Sequence, residues 1–201
     1  LHVRPVLNMK SDQDIKNMRC ISEEAFEMVK NYKGSHSGEH GDGIVRSEFH
    51  EMMFGKNITN AFEEIKDEFD NKNLLNPGKI VRPFKSNDRS LMRYKSDYQT
   101  ENISTHYDWS NWGQFSDAIE MCNNNGACRK LDSGVMCPSY RVTKEEKDLV
   151  RGRANTLRLA LSNQLPEGSF ASKEMYETME LCVSCKACQR ECPMSVDMAK
   201  M

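Results

Sequence analysis

Four cysteines, Cys182, Cys185, Cys188 and Cys192, stand at the spacing C-x2-C-x2-C-x3-C, and Pro193 follows at once. No other feature constrains the fold of this chain as tightly. Such a run curls the backbone so that three thiolates converge on one inorganic cube, while the proline directs the fourth cysteine away from it. A zinc ion is met instead by four tetrahedral ligands, usually supplied as two separated pairs. The spacing therefore favours an iron–sulfur cluster over a zinc staple or a redox thiol pair.

A second group lies upstream as Cys122-x5-Cys128-x8-Cys137, with Pro138 after the last cysteine. In two-cluster ferredoxins the cysteine that precedes proline serves the other cluster. That rule assigns Cys137 to the cluster of Cys182, Cys185 and Cys188, and Cys192 to a second site with Cys122 and Cys128. Three thiolates suit a three-iron cluster, or a four-iron cluster with a non-cysteine fourth ligand. The C-x5-C spacing resembles the three-iron half of the iron–sulfur subunits of succinate dehydrogenase and fumarate reductase. Cys20, the remaining cysteine, falls in a helical stretch and is expected as a small buried apolar residue.

Cysteines grouped as ligands, rather than spread over a small loop-rich fold, point to the reducing cytoplasm or a matrix-like compartment. The formal charge of −2 over 201 residues gives no general attraction to nucleic acid or to anionic lipid. No window reaches the roughly 18–20 apolar residues of a membrane-spanning helix; peripheral attachment to a membrane stays compatible with this. Neither terminus carries a natural start or stop signal, so the chain is expected to be a piece of a longer protein.

Ser11 followed by Asp12 and Asp14 reads as a helix start. A second helix is expected over 56–70 with Phe62, Ile65 and Phe69 on one face, then a turn at Asn76-Pro77-Gly78 and, at Ile80-Val81, a strand end or a buried extended piece. Residues 83–107 are polar and irregular and read as a linker or wrapping arm. A helix over 144–163, capped by Thr143, would bury Leu149, Leu157 and Leu161. Arg151, Arg153 and Arg158 on it have two readings: a solvated face pairing with Glu145 and Glu146, or cations that raise the cluster potentials.

The loop Gly34-Ser35-His36-Ser37-Gly38-Glu39-His40-Gly41-Asp42-Gly43 is neither a dinucleotide fingerprint nor a P-loop. Its glycines permit close backbone approach to a flat ligand. Glu39 and His40 place a carboxylate ligand beside a titratable imidazole. His50-Glu51 imitates a zinc-protease motif but lacks the second histidine. His36 and His106 have no partner in spacing and are expected at the surface.

That loop, its extension Ile44-Val45-Arg46, and Leu75-Asn76-Pro77-Gly78-Lys79-Ile80 together resemble the C-terminal part of FAD-linked oxidases. That family includes glycolate oxidase, D-lactate dehydrogenase and D-2-hydroxyglutarate dehydrogenase. The cysteine-rich half is similar to the fused iron–sulfur module of its large bacterial members. Asn71 replaces the family's usual proline, and the FAD-binding domain, a companion metal histidine before His2 and a further cysteine-rich segment are missing.

The resemblance implies an α+β fold: a partial oxidase C-terminal domain over 1–82, the arm over 83–107, and a mainly α-helical two-cluster ferredoxin-like domain over 108–201. It implies an oxidoreductase acting on a 2-hydroxy acid, with FAD bound mostly by the absent domain and a 4Fe-4S cluster paired with a 3Fe-4S or second 4Fe-4S cluster. Glu39 and His2 would bind a divalent metal at the substrate. His40 would act as base, Arg46 and Arg4 would face substrate or cofactor, and Gly38, Gly41, Gly43 and Asn76 would lie at the flavin. Electrons would pass to a quinone or protein acceptor. Two other readings remain at this point, an electron-transfer module with a docking half and a zinc-stapled interaction domain.

Overall fold

Ser11 starts the first helix as expected, its hydroxyl accepting from the Asp14 N–H at 3.3 Å while Asp12 and Asp14 complement the helix dipole. In the computed structural model, which describes residues 4–201, this helix, α1, runs Asp12–Asn31. Short α2 (Gly43–Arg46) and a 3-10 turn lead into α3 (His50–Phe54). Gly55, at φ 82° and ψ 160°, takes a conformation open essentially to glycine alone and divides α3 from α4, Lys56–Phe69. Asp70 then folds the chain back by accepting from the Leu74 and Leu75 N–H groups and pairing with Lys66.

Of the two readings of Ile80-Val81 the strand end is not formed, while Val81 is buried, and all regular structure among the described residues is helical. The α+β expectation is therefore not met there. The Ile80 N–H donates to Ser47 Oγ at 2.9 Å, and its carbonyl lies 3.2 Å from His50 Nδ1. Side chains from distant positions thus satisfy the groups that a sheet ladder would otherwise use.

The chain separates into two units, Leu1–Tyr98 and Gln99–Met201. Residues 83–98, the first part of the stretch 83–107 read as a linker or arm, are tied down within the first unit: the Ser86 N–H donates to Glu48 at 2.7 Å, and Arg89 pairs with Asp12 at 2.7 Å. The apolar core of this unit is thin, with Ile15, Phe49 and Val81 buried, whereas Ile65 and Phe69 of α4 are 60% and 84% exposed.

Glu48 is the unit's main buried charge, paired with Arg19 at 2.6 Å. Burial pushes its carboxyl up, but hydrogen bonds from Arg19 and Ser86 outweigh this and hold it at about 2, below the ordinary 4.5. A carboxyl lowered in the folded state stabilises fully above its unfolded value and loses that contribution as pH falls through the folded one. The urea midpoint of the first unit's helical signal is thus expected to fall between about pH 4.5 and 2, and Glu48→Gln to remove that part of the slope while weakening the unit at neutral pH. An unchanged acid slope in the variant would contradict the assignment.

In the second unit α5 (Phe115–Glu120) and α8 (Lys173–Met179) pack on α7 (Val150–Leu161). The single helix expected over 144–163 is interrupted. Thr143 instead ends α6 (Pro138–Thr143), Lys144 turns left-handed at φ 62°, and a 3-10 turn over Glu146–Asp148 precedes α7. Leu149, Leu157 and Leu161 are all buried, as expected. Gly152 is where α7 touches that turn: a Cβ there would lie 1.9 Å from the Glu146 carbonyl oxygen. The centre of this unit holds Ile119, Met136, Leu149, Leu161 and Val196, each 1% exposed or less, with cysteine sulfurs among them.

Candidate functional site

Ser184 and Lys186 adopt left-handed φ of 50° and 58° between the cysteines of the downstream run, which lets the backbone of 182–188 curl. Cys182, Cys185 and Cys188 then line one recess of about 330 Å³, partly open to solvent, and Cys137 lines the same recess. Glu191, on α9 (Ala187–Glu191), ties the two cysteine groups together by accepting from the Val135 N–H at 2.9 Å and the Met136 N–H at 3.2 Å. These hydrogen bonds hold its carboxyl below the usual range. Cys192 is not among the residues lining that recess.

Cys122 and Cys128 are buried in the same core. Burial pushes the Cys128 thiol up, as it does that of Cys188, and at Cys128 the neighbouring Arg151 opposes the shift. None of the eight cysteines is in a disulfide. Among the described residues no three of their sulfurs lie within 4.8 Å of one another. Cys20, expected to be buried, is exposed on α1 in the other unit.

In the first unit Glu39 and His40 are exposed neighbours, with His40 Nε2 3.5 Å from Glu39 Oε1. Arg46 reaches back to the Gly41 carbonyl at 3.1 Å and so braces the loop. Gly41 and Gly43 take φ of 70° and 52°. Gly43 and Asn76 line one open groove of about 1110 Å³ with Phe62, Ile65, Phe69 and Leu75, whereas Gly38 and Gly41 do not line it. His2 lies outside the described residues.

His36, expected at the surface, is buried at 8% exposure, and His50, set aside with a failed protease motif, is buried at 2%. Both face Asp42: His36 Nε2 is 3.7 Å and His50 Nε2 2.9 Å from its carboxylate oxygens. The signal that marks them is the recurrence of His, Asp and His over 36–50, which matches no named motif. His106 is exposed, as expected.

Residues 1–80 match the family described as FAD linked oxidases, C-terminal domain, and residues 118–196 match the 4Fe-4S dicluster domain. The chain joins an FAD-linked oxidase C-terminal domain to a 4Fe-4S dicluster domain. It is 33% identical to a D-2-hydroxyglutarate dehydrogenase of Haemophilus influenzae over 98% of its length, and 31% identical to that of Escherichia coli K12 over the same share. In both cases the chain spans 22% of the relative's own length. It is also 30% identical to glycolate oxidase subunit GlcD of Bacillus subtilis, over 40% of this chain and 17% of that protein. No solved structure matches. Among the described residues, no helix is long and apolar enough to cross a membrane.

The three arginines of the dicluster unit divide between their two readings. Arg151 forms a two-pronged ion pair with Glu146 at 2.6 and 2.9 Å, the surface reading, while also standing near Cys122 and Cys128. Arg153 is fully buried. Its Nε donates to the Thr178 carbonyl at 2.9 Å, one terminal nitrogen to Cys137 Sγ at 3.6 Å, and the other to Ser139 Oγ at 3.2 Å. Arg158 is buried at 9% exposure.

Proposed function

We propose that this chain forms the substrate-side and electron-exit portion of an FAD- and iron–sulfur-dependent dehydrogenase that oxidises a D-2-hydroxy acid, with D-2-hydroxyglutarate favoured over glycolate and D-lactate. The observation that carries this reading is collinearity. Four relatives named D-2-hydroxyglutarate dehydrogenase match 98% of the chain, through oxidase and cluster halves alike, whereas another of that name matches 36% and the glycolate oxidase subunit 40%.

Cys137, Cys182, Cys185 and Cys188 hold one 4Fe-4S cluster, a reading supported by the recess they share. Cys122, Cys128 and Cys192 hold a second cluster, of three irons or of four with a non-cysteine ligand. FAD, bound mostly by sequence outside this chain, supplies a two-electron acceptor, and the clusters pass electrons singly to a quinone or a protein. The groove bearing Gly43 and Asn76 suits one side of a flat ring. Glu39, exposed and oxygen-donating, suits a divalent metal together with His2. His40 takes the hydroxyl proton as the substrate is oxidised, and Arg46 and Arg4 offer cations to substrate carboxylates.

The test is anaerobic turnover of the full-length enzyme with D-2-hydroxyglutarate, D-lactate and glycolate, using an artificial one-electron acceptor. D-2-hydroxyglutarate is expected to show the highest kcat/KM, and His40→Gln to lower kcat by about 10²- to 10⁴-fold. Full turnover in both Glu39→Gln and His40→Gln would instead favour an electron-transfer module with a non-catalytic docking half.

A further inference from the structure

We infer that His36, Asp42 and His50 form a site for a divalent transition metal of the zinc class, separate from the Glu39 and cysteine sites and independent of the dehydrogenase reading. Each offers a ligand atom, and the three atoms all lie within 4.8 Å of one another. The His36 and His50 side chains are 1% and 3% exposed, and that of Asp42 is 23% exposed, which leaves a way in from solvent.

The hydrogen-bond accounting points to a missing cation. A carbonyl can only accept, so in the neutral ring His50 Nδ1, 3.2 Å from the Ile80 carbonyl, carries the proton and Nε2 keeps its lone pair. A carbonyl holding the far nitrogen is the usual support of a metal-bound histidine. That Nε2 lone pair faces Asp42, itself an acceptor, and the contact is not aligned as a hydrogen bond. His36 Nε2 makes no well-aligned hydrogen bond, nor does Asp42 Oδ1, while the His36 ring also meets the Arg46 backbone. Buried polar atoms are seldom left unpaired, and here three of them, His36 Nε2, His50 Nε2 and Asp42 Oδ1, lie together. Burial also disfavours a protonated His36.

The surroundings are those of a dry ion site. Phe26, Phe54 and Phe62 stand against the two imidazoles with ring centroids 5.4–6.2 Å away. Two imidazoles and one carboxylate select a borderline transition metal over magnesium or calcium, which prefer all-oxygen shells. Three protein ligands leave one position for water or an exogenous group. Because His36 and Asp42 flank residues 37–41, a bound ion would clamp both ends of the segment carrying Glu39 and His40.

The test is zinc analysis of the anaerobically purified protein, clusters loaded, after dialysis against zinc and removal of loose metal. Wild type is expected to retain about one zinc per chain that Asp42→Asn and the double variant His36→Ala/His50→Gln lack, at equal iron content. Its zinc X-ray absorption should show nitrogen and oxygen neighbours without sulfur. Asp42→Asn is nearly isosteric, and unchanged far-ultraviolet dichroism would show that it remains folded. Equal zinc in wild type and folded Asp42→Asn, or a sulfur-ligated zinc lost on cluster loading, overturns the proposal without touching the dehydrogenase reading.

Discussion

Replacing Arg153 by methionine is expected to destabilise the dicluster unit by about 2–4 kcal/mol and to make the potential of its downstream cluster more negative. The side chain is fully buried and makes three directed hydrogen bonds, to Thr178, Cys137 and Ser139. A guanidinium taken out of water is costly unless an anion and acceptors meet it. On the proposed ligation a Cys137 thiolate would supply that anion, with Asp148 as a further charge nearby. Methionine fills the volume but leaves the Thr178 carbonyl unpaired and the thiolate without a cation. Lysine keeps the charge and loses the fork, so Arg153→Lys should recover part of the potential and less of the stability. Urea unfolding and a spectroscopic redox titration check the two effects separately. A potential unmoved in Arg153→Met would reduce the residue to a packing and hydrogen-bonding role.

Replacing Cys137 by alanine is expected to remove the cluster of Cys182, Cys185 and Cys188, or convert it to a three-iron form, while sparing the other site. Cys137 is 45 residues upstream of Cys182, yet both line one recess, and Glu191 fixes the approach by gripping the Val135 and Met136 N–H groups. The thiolate therefore enters a prearranged position, which alanine cannot fill with a ligand. Cys20→Ala, on the exposed face of α1, serves as the control and should leave the iron content unchanged. Iron and sulfide analysis of the two variants checks this. If Cys137→Ala kept its four-iron signal in full, the crossed partition of ligands would be wrong.

What could be read from the sequence is what depends on short spacing. The cysteine run needs only its own backbone to curl, and Ser11 needs only Asp14 to cap α1. The start of α4 after Gly55 was equally local. Features set by distant residues were not readable. Ile80 is no strand because Ser47 and His50, about thirty residues earlier, take its backbone groups. His36 is buried because Phe26 and Phe54 close over it. The break before α7 brings Glu146 against Gly152, a contact that periodicity does not report. Conversely, Phe62, Ile65 and Phe69 do mark one face of α4 and line a groove, but their pattern could not say that Ile65 and Phe69 would be largely exposed.

The most direct test of the central claim, that the cysteine-rich half carries two iron–sulfur clusters, is iron and acid-labile sulfide content on anaerobically purified protein, with electron paramagnetic resonance before and after dithionite. The account predicts about seven to eight irons per chain, with a three-iron signal before reduction if the second cluster has only its three thiolates. About four irons with no signal in the oxidised sample would leave Cys122, Cys128 and Cys192 without a cluster, and zinc without sulfide would contradict the electron-transfer reading altogether.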